Sequence, residues 1–125
     1  MTKNEIAGML IEEEKRYGLP VLLDYIFGID IVIKTGVKYV DCEKSIDELN
    51  LSVRSQNALR RAQIETIGVL VDALNNESVK GIRNLGRKSY SEIQTKLLVY
   101  NYENMSDKKK EAFFISVIDN NLIRN

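Results

Sequence analysis

Helix-start signals recur at short intervals along this chain, and they constrain its fold more than any other feature. A Ser or Thr just before a helical pattern can accept a hydrogen bond from an N–H group that is otherwise unpaired in the first helical turn. Two of these residues are followed three positions later by Glu, which completes a capping-box pattern. The chain is therefore predicted to be mainly α and built from short helices. The start signals are Thr2, Ser45, Ser52, Thr66 and Ser106.

The hydrophobic pattern divides the chain into three predicted segments. Residues 1–44 form an N-terminal extension with an amphipathic helix, and alternating apolar residues around a turn signal at 28–40 indicate a small β-hairpin. Residues 45–100 carry short helical patterns with polar connections, which favour a compact bundle. Residues 101–125 carry a C-terminal amphipathic helix, which either packs on the domain before it or binds a partner.

Composition excludes several classes of chemistry. The 125 residues include no His and one Cys, Cys42. His-based acid–base catalysis, His metal ligation, an internal disulfide and a multi-Cys zinc site are therefore excluded. The sequence predicts no metal, no cofactor and no enzymatic activity. Because the apolar runs are too short to span a membrane and the N-terminus lacks a secretory pattern, we expect a cytoplasmic protein without a membrane partner.

The net charge is zero, but the charges are unevenly distributed. Residues 45–100 hold eight basic and six acidic side chains, whereas residues 1–44 hold six and eight. Charge clusters are usually solvated surface, although a basic face is also typical of nucleic-acid binding. The two basic clusters of the middle segment are Arg54, Arg60 and Arg61, and Lys80, Arg83, Arg87 and Lys88.

Two loop-to-helix elements carry the candidate binding chemistry. A helix N-terminus presents unpaired N–H groups and the positive end of the helix dipole, which suits a phosphate. At the second element, Gly86 allows a close backbone approach, while Lys88 and Ser89 add a charge and a hydroxyl donor. At the first element, Arg54 can enter an A·T-rich minor groove, and Asn57 can donate to its acceptors or to a phosphate.

Each of these residues also has a purely structural interpretation. Gly86 could be a turn glycine, and Arg54 could pair with Asp47 or Glu48 on the surface. Asn57 and Ser89 could act as helix caps. Only the string of residues as a whole favours the binding interpretation.

The blocks LSVRSQNAL and RNLGRKSYSEI occur in an order and at a spacing typical of one family. Residues 46–98, which contain both blocks, resemble the C-terminal domain of the bacterial RNA polymerase alpha subunit. The resemblance implies a compact bundle of short helices with helix-hairpin-helix-like elements. It also implies binding to the minor groove of A·T-rich DNA upstream of promoters, and docking of transcription activators and sigma factor.

The resemblance assigns roles to individual residues. Asp47 and Glu48 match acidic residues of the surface that faces sigma factor. Glu92 is unusual for a residue near phosphate, and it could orient Lys88 four residues away in the helix. The positions that match the DNA-facing set of the family are Arg54, Asn57, Ala58, Gly86, Lys88, Ser89 and Glu92.

The sequence also departs from the family pattern. Gln63 stands where many relatives carry glycine, and Asn50 replaces an acidic residue of the sigma-facing patch. Residues 1–44 resemble neither the large assembly domain of the alpha subunit nor a flexible linker. We therefore expect a small stand-alone protein that reuses the domain. Its N-terminal apolar residues, among them Met9 and Leu22, either complete the core or bind a partner.

Two functional hypotheses follow. The first is a transcription-associated DNA-binding protein that contacts the minor groove of A·T-rich promoter DNA through two helix N-termini. The second is a protein-interaction module that docks on RNA polymerase, sigma factor or an activator without binding DNA. The DNA-facing positions match almost completely, which favours the first hypothesis.

Overall fold

The computed structural model describes residues 1–27 and 42–119, without the side chains of residues 26 and 27. This part of the chain is mainly helical, which confirms the predicted fold class. The predicted β-hairpin at 28–40 lies outside the described residues. The helices are α1 (Lys3–Tyr17), α2 (Leu19–Phe27), the 3-10 helix η1 (Ile46–Leu49), α3 (Val53–Arg61), α4 (Ile67–Asn75), the 3-10 helix η2 (Ser78–Gly81), α5 (Arg87–Glu103) and α6 (Asp107–Val117).

The described residues divide into two compact units. The first unit holds residues 1–27 and 102–119, and the second holds residues 42–101. The sequence separates the N-terminal extension from the C-terminal helix, whereas the structure groups them in one unit. None of the described helices is both long enough and apolar enough to cross a membrane.

The predicted caps explain where the helices of the second unit begin. The Ser52 hydroxyl accepts a hydrogen bond from the N–H of Ser55 at 3.2 Å, and α3 begins one residue after Ser52. The Thr66 hydroxyl accepts from the N–H of Val69 at 3.2 Å, and α4 begins directly after Thr66. Ser45 caps η1 by accepting from the N–H of Asp47, two residues later, at 3.1 Å. Each cap satisfies one N–H group that the helix itself leaves unpaired, so these starts are fixed by local chemistry.

The chain before η1 runs antiparallel to the start of α4. The N–H of Ile67 donates to the carbonyl of Lys44 at 2.9 Å, and the N–H of Gly68 donates to the carbonyl of Cys42 at 2.8 Å. A Cβ atom at position 68 would lie 3.0 Å from the Cys42 carbonyl oxygen. This close approach of two backbones accounts for the glycine at position 68.

The end of α3 contains one of the departures from the family pattern. Gln63 adopts a φ of 63°, in the left-handed region that glycine enters most easily. The N–H of Ile64 donates to the Leu59 carbonyl at 2.9 Å, and the N–H of Gln63 donates to the Arg60 carbonyl at 2.9 Å. These two bonds define a Schellman motif, whose left-handed position is usually glycine. The turn therefore forms with Gln63 in place of glycine, at a cost of about 1 kcal/mol.

The core of the second unit is formed by apolar side chains from all of its helices. Leu59 on α3, Ile67 and Leu70 on α4, and Ile93 on α5 are completely buried. Burying each of these side chains contributes about 1.5–3 kcal/mol. The same core contains Ile46, Leu49, Leu51, Ile64, Ala73, Val79 and Leu97.

The first unit packs α1 against α2 and α6. The predicted capping box at the start of α1 is present, because Thr2 and Glu5 exchange two hydrogen bonds of 3.1 Å. Lys3 pairs with Asp119 just beyond α6, with 2.6 Å between Nζ and Oδ1. Leu22 is buried as expected, but Met9 is 54% exposed. The exposure of Met9 does not fit the interpretation that it completes the core, and it leaves the interpretation that Met9 binds a partner untested.

An aromatic cluster forms the centre of the first unit. The rings of Tyr102, Phe113 and Phe114 pack edge to face, with centroids 5.2–5.5 Å apart. The ammonium group of Lys110 lies 5.1 Å from the centre of the Tyr102 ring. Within the described residues, the Tyr102 hydroxyl is buried without a hydrogen-bond partner. Burial raises the pKa of this phenol, and the negative charge of Glu14 raises it further.

Candidate nucleic-acid interface

Arg54 lies in the first turn of α3, and its side chain is exposed. The Ser52 cap fixes this position, because it sets the residue at which α3 begins. Arg54 has no ion-pair partner among the residues that the structure describes. Asn57 lies one turn further along α3 and is also exposed. Both predicted side chains are therefore available to a ligand.

One of the two acidic residues that the sequence offers as partners for Arg54 pairs elsewhere. The Oδ1 atom of Asp47 lies 2.5 Å from Nη2 of Arg60, and Oε1 of Glu65 lies 3.5 Å from Nη1 of Arg60. Asp47 therefore neutralises Arg60, not Arg54. Glu48, the second residue of the predicted sigma-facing pair, is exposed on η1.

Ala58 does not fit the role that the resemblance assigns to it. Its side chain has an exposed fraction of 0% and lies beside Leu59 on the inner face of α3. A side chain without accessible surface cannot contact a DNA groove directly. Ala58 nevertheless lines the open cleft beside Arg61, and its place in the DNA-facing set stays a prediction.

The start of α5 is open. The carbonyl of Gly86 accepts the first helical hydrogen bond, from the N–H of Tyr90 at 3.0 Å, which leaves the preceding N–H groups of the first turn without helical partners. Apart from Gly86 and its two neighbours in sequence, no described atom lies within 4 Å of where a Cβ of Gly86 would be. Lys88 is exposed and Ser89 is half-buried in this turn. The fold therefore has room for a larger residue at position 86.

Glu92 closes the start of α3. Its Oε1 atom accepts from the Ser55 hydroxyl at 2.5 Å and from the Ser52 hydroxyl at 2.9 Å. Its Oε2 atom accepts from the Ser52 N–H at 2.9 Å. Glu92 belongs to the second turn of α5, so these bonds hold α5 against the first turn of α3. The two predicted loop-to-helix elements are thereby brought together.

The hydrogen bonds of Glu92 determine its charge state and its role. Donation from the Ser55 hydroxyl, with further donation from Ser52, holds the pKa of Glu92 below its ordinary value. The side chain is therefore a carboxylate near neutral pH. Its partners among the described residues are Ser52 and Ser55, so the hypothesis that Glu92 orients Lys88 is not supported.

Sequence reasoning missed two features of this surface. The contact of Glu92 with Ser52 spans 40 positions, and no local pattern indicates it. The second feature is a cleft between the end of α3 and the loop before α5, which Arg61 and Arg83 help to line. The basic clusters contain both arginines, but composition does not distinguish them from Arg60, which is paired.

These contacts define a small helical domain. Glu92 occupies the start of α3, and the first N–H groups of α5 have no helical partners. Residues 38–98 match the family described as the C-terminal domain of the alpha chain of bacterial RNA polymerase. The match confirms the resemblance that the two sequence blocks indicate. The match covers slightly less than half of the protein. Almost all of the second unit lies within the matched residues.

Curated proteins similar to this segment are DNA-directed RNA polymerase alpha subunits. The subunit of Syntrophomonas wolfei is 51% identical over 69 residues, which cover 55% of this chain and 21% of that subunit. The subunit of Symbiobacterium thermophilum is 52% identical over 58 residues, which cover 46% of this chain and 18% of that subunit. The subunit of Nitratiruptor is 42% identical over 77 residues, which cover 60% of this chain and 23% of that subunit. The chain thus spans about a fifth of the length of these relatives. No solved structure matches it.

Proposed function

We propose that this is a transcription-associated DNA-binding protein that contacts the minor groove of A·T-rich promoter DNA at the starts of α3 and α5. One observation carries the proposal: Arg54 is exposed, makes no ion pair within the described residues, and lies in a helical turn that Glu92 holds against α5. The similarity of residues 38–98 to the C-terminal domain of the polymerase alpha subunit gives independent support.

The two helix starts contribute differently to this function. Arg54 enters the minor groove, where a narrow A·T tract concentrates negative potential. Asn57, on the same face, donates to the acceptors at the floor of the groove or to a phosphate. The N–H groups at the start of α5 bind a backbone phosphate, and Gly86 lets that phosphate approach closely. Lys88 and Ser89 add a charge and a hydroxyl donor at the same point.

Fluorescence anisotropy with labelled A-tract and G·C-rich duplexes tests this function. The full chain should bind the A-tract more tightly, with an affinity that falls as salt rises. Arg54→Ala should weaken A-tract binding by roughly ten- to hundredfold, the effect of losing one groove contact. Arg54→Lys should retain the salt dependence and lose most of the A·T preference, because ammonium lacks the planar guanidinium fork.

Arg16→Ala is a matched control, because it removes the same charge from α1 in the first unit. It should leave both affinities unchanged. If Arg54→Ala binds both duplexes as the parent does, the minor-groove role is wrong.

The alternative function is a protein-interaction module that docks on RNA polymerase, sigma factor or an activator without binding DNA. It is favoured by the exposure of Glu48 next to Asp47, which Arg60 holds in a fixed position. Size-exclusion chromatography of the full chain with purified RNA polymerase and sigma factor tests it. Co-elution that Glu48→Ala weakens, together with absent DNA binding, would support the alternative. Separate elution from both proteins would contradict it for these two partners.

A further inference from the structure

A further pair of basic groups lies beyond the residues proposed above, one on α3 and one in the loop before α5. It lines an open cleft of the second unit, between the last turn of α3 and the loop that precedes α5. Ala58 and Ala62 line the cleft from the helix, and Ile82 lines it from the loop. Its polar lining comes from Arg61, Arg83 and Asn84.

No described residue supplies a counter-charge to the two arginines of the cleft. Arg61 and Arg83 are exposed, and neither makes an ion pair within residues 1–27 and 42–119. Arg60, the neighbour of Arg61 in sequence, pairs with both Asp47 and Glu65. Among the described residues, those that line the cleft include no carboxylate. Two like charges at one cleft repel each other, and an anionic ligand between them would relieve this repulsion.

The position of the cleft indicates which anion it would bind. Arg61 follows Arg54 by seven residues, so the two side chains lie on the same face of α3, two turns apart. Asn57 lies between them on that face. The loop side of the cleft ends at Asn84, two residues before Gly86. The cleft therefore continues the surface that runs from Arg54 to the open start of α5.

We propose that Arg61 and Arg83 together bind a backbone phosphate of DNA, beside the groove that Arg54 enters. This inference rests on the proposed function, because it needs DNA on the same surface. Guanidinium groups bind phosphate oxygens through charge-assisted, often bidentate hydrogen bonds. Such a contact carries no sequence information, so the pair strengthens binding to any duplex and fixes the position of the domain on it.

Salt-dependent binding of the full chain distinguishes this contact from a structural role. The double variant Arg61→Ala/Arg83→Ala should bind the A-tract and G·C-rich duplexes more weakly by the same factor. Each lost phosphate contact should also reduce the slope of log affinity against log salt by about 1, so the double variant should lose about 2. Because both side chains are exposed, its melting temperature should match that of the parent.

Arg60→Ala is the matched control, since it removes an adjacent arginine that is already paired. It should leave the salt slope unchanged. The inference is overturned if the double variant keeps the slope of the parent while Arg54→Ala removes the A·T preference, and the proposed function would then still stand. If the parent binds neither duplex, both the proposed function and this inference are wrong.

Discussion

The starts of α3 and α5 differ in what occupies them, although Glu92 in the second turn of α5 joins the two helices. The start of α3 receives a carboxylate from the protein itself, since Glu92 bonds with Ser52 and Ser55. The start of α5 follows Gly86, around which no described atom would meet an added Cβ. Both helix starts favour a negative charge. At the start of α3 the carboxylate of Glu92 supplies this charge, whereas the start of α5 is available to a charged ligand.

The two helix starts therefore contribute differently to the stability of the protein and to its proposed DNA binding. The carboxylate at α3 fixes the first turn in which Arg54 lies, so it prepares a side chain that reaches outward. The open turn at α5 makes no comparable contact within the described part of the protein, and its N–H groups remain available to phosphate. Loss of the carboxylate or of the cap at the start of α3 should therefore change stability, whereas substitutions in the first turn of α5 should mainly change DNA affinity.

Loss of the Glu92 carboxylate should have the largest effect on stability. Glu92→Ala removes three hydrogen bonds to a charged acceptor and should lower the free energy of unfolding by about 1.5 kcal/mol, given that the group is partly exposed. Urea denaturation followed by circular dichroism measures this change. Lys88→Ala, on the exposed first turn of α5, is the control and should change stability by less than about 0.5 kcal/mol. Equal losses for the two variants would contradict the difference between the helix starts.

Removal of the α3 cap should have the next largest effect. Ser52→Ala deletes the hydroxyl that accepts from the Ser55 N–H, and this loss typically costs about 1 kcal/mol. Thermal melting of the purified variant measures the change. Ser52→Thr retains the cap and should melt near the parent temperature. An unchanged melting temperature for Ser52→Ala would show that the cap does not stabilise α3.

Addition of a methyl group at the open start of α5 should affect stability less and binding more. Gly86→Ala has space for its Cβ, so the expected cost is about 0.5 kcal/mol, from the poorer fit of Ala at a helix start. The same methyl group should obstruct a DNA phosphate and weaken A-tract binding several-fold. Parallel measurements of melting and anisotropy test this separation. Unchanged DNA affinity would assign Gly86 to the turn alone.

The pH dependence of stability should give the smallest effect. The folded-state pKa of Glu92 lies below the ordinary value of 4.5, because Ser55 and Ser52 donate to the charged form. The stability from this carboxylate is thus complete above about pH 4.5 and is lost as the pH falls through the folded-state pKa. Glu92→Gln removes this titration. The stability difference between parent and variant should therefore narrow below pH 4.5, and a constant difference would contradict the proposed charge state.

The sequence could predict the helix starts, because each depends on residues three positions apart. Ser52 and Thr66 begin helices as expected. The burial of Ala58 could not be predicted in this way, because Ala58 follows the exposed Arg54 by four residues and so lies on the same face of α3. The resemblance likewise places Ala58 on the DNA-facing surface. A matched position therefore does not by itself show whether a side chain is exposed.

Other features depend on contacts between distant residues, and local patterns could not predict them. Glu92 meets Ser52 only after α3 and α5 have packed together. The pairing of Asp47 with Arg60, and not with Arg54, likewise depends on the angle between η1 and α3. The grouping of α1 with α6 joins the two ends of the described chain. In each case the residue types are compatible with several partners, and only the folded structure shows which pair forms.

An NMR titration of the isotope-labelled full chain with an A-tract duplex tests the central claim most directly. The account predicts that the largest amide shift changes occur at Gly86, Lys88 and Ser89, together with a change in the Arg54 side-chain Nε–H signal. Signals from residues 1–27 should remain unchanged. Shift changes confined to residues 1–27, or to Asp47 and Glu48, would contradict a DNA surface built from the starts of α3 and α5.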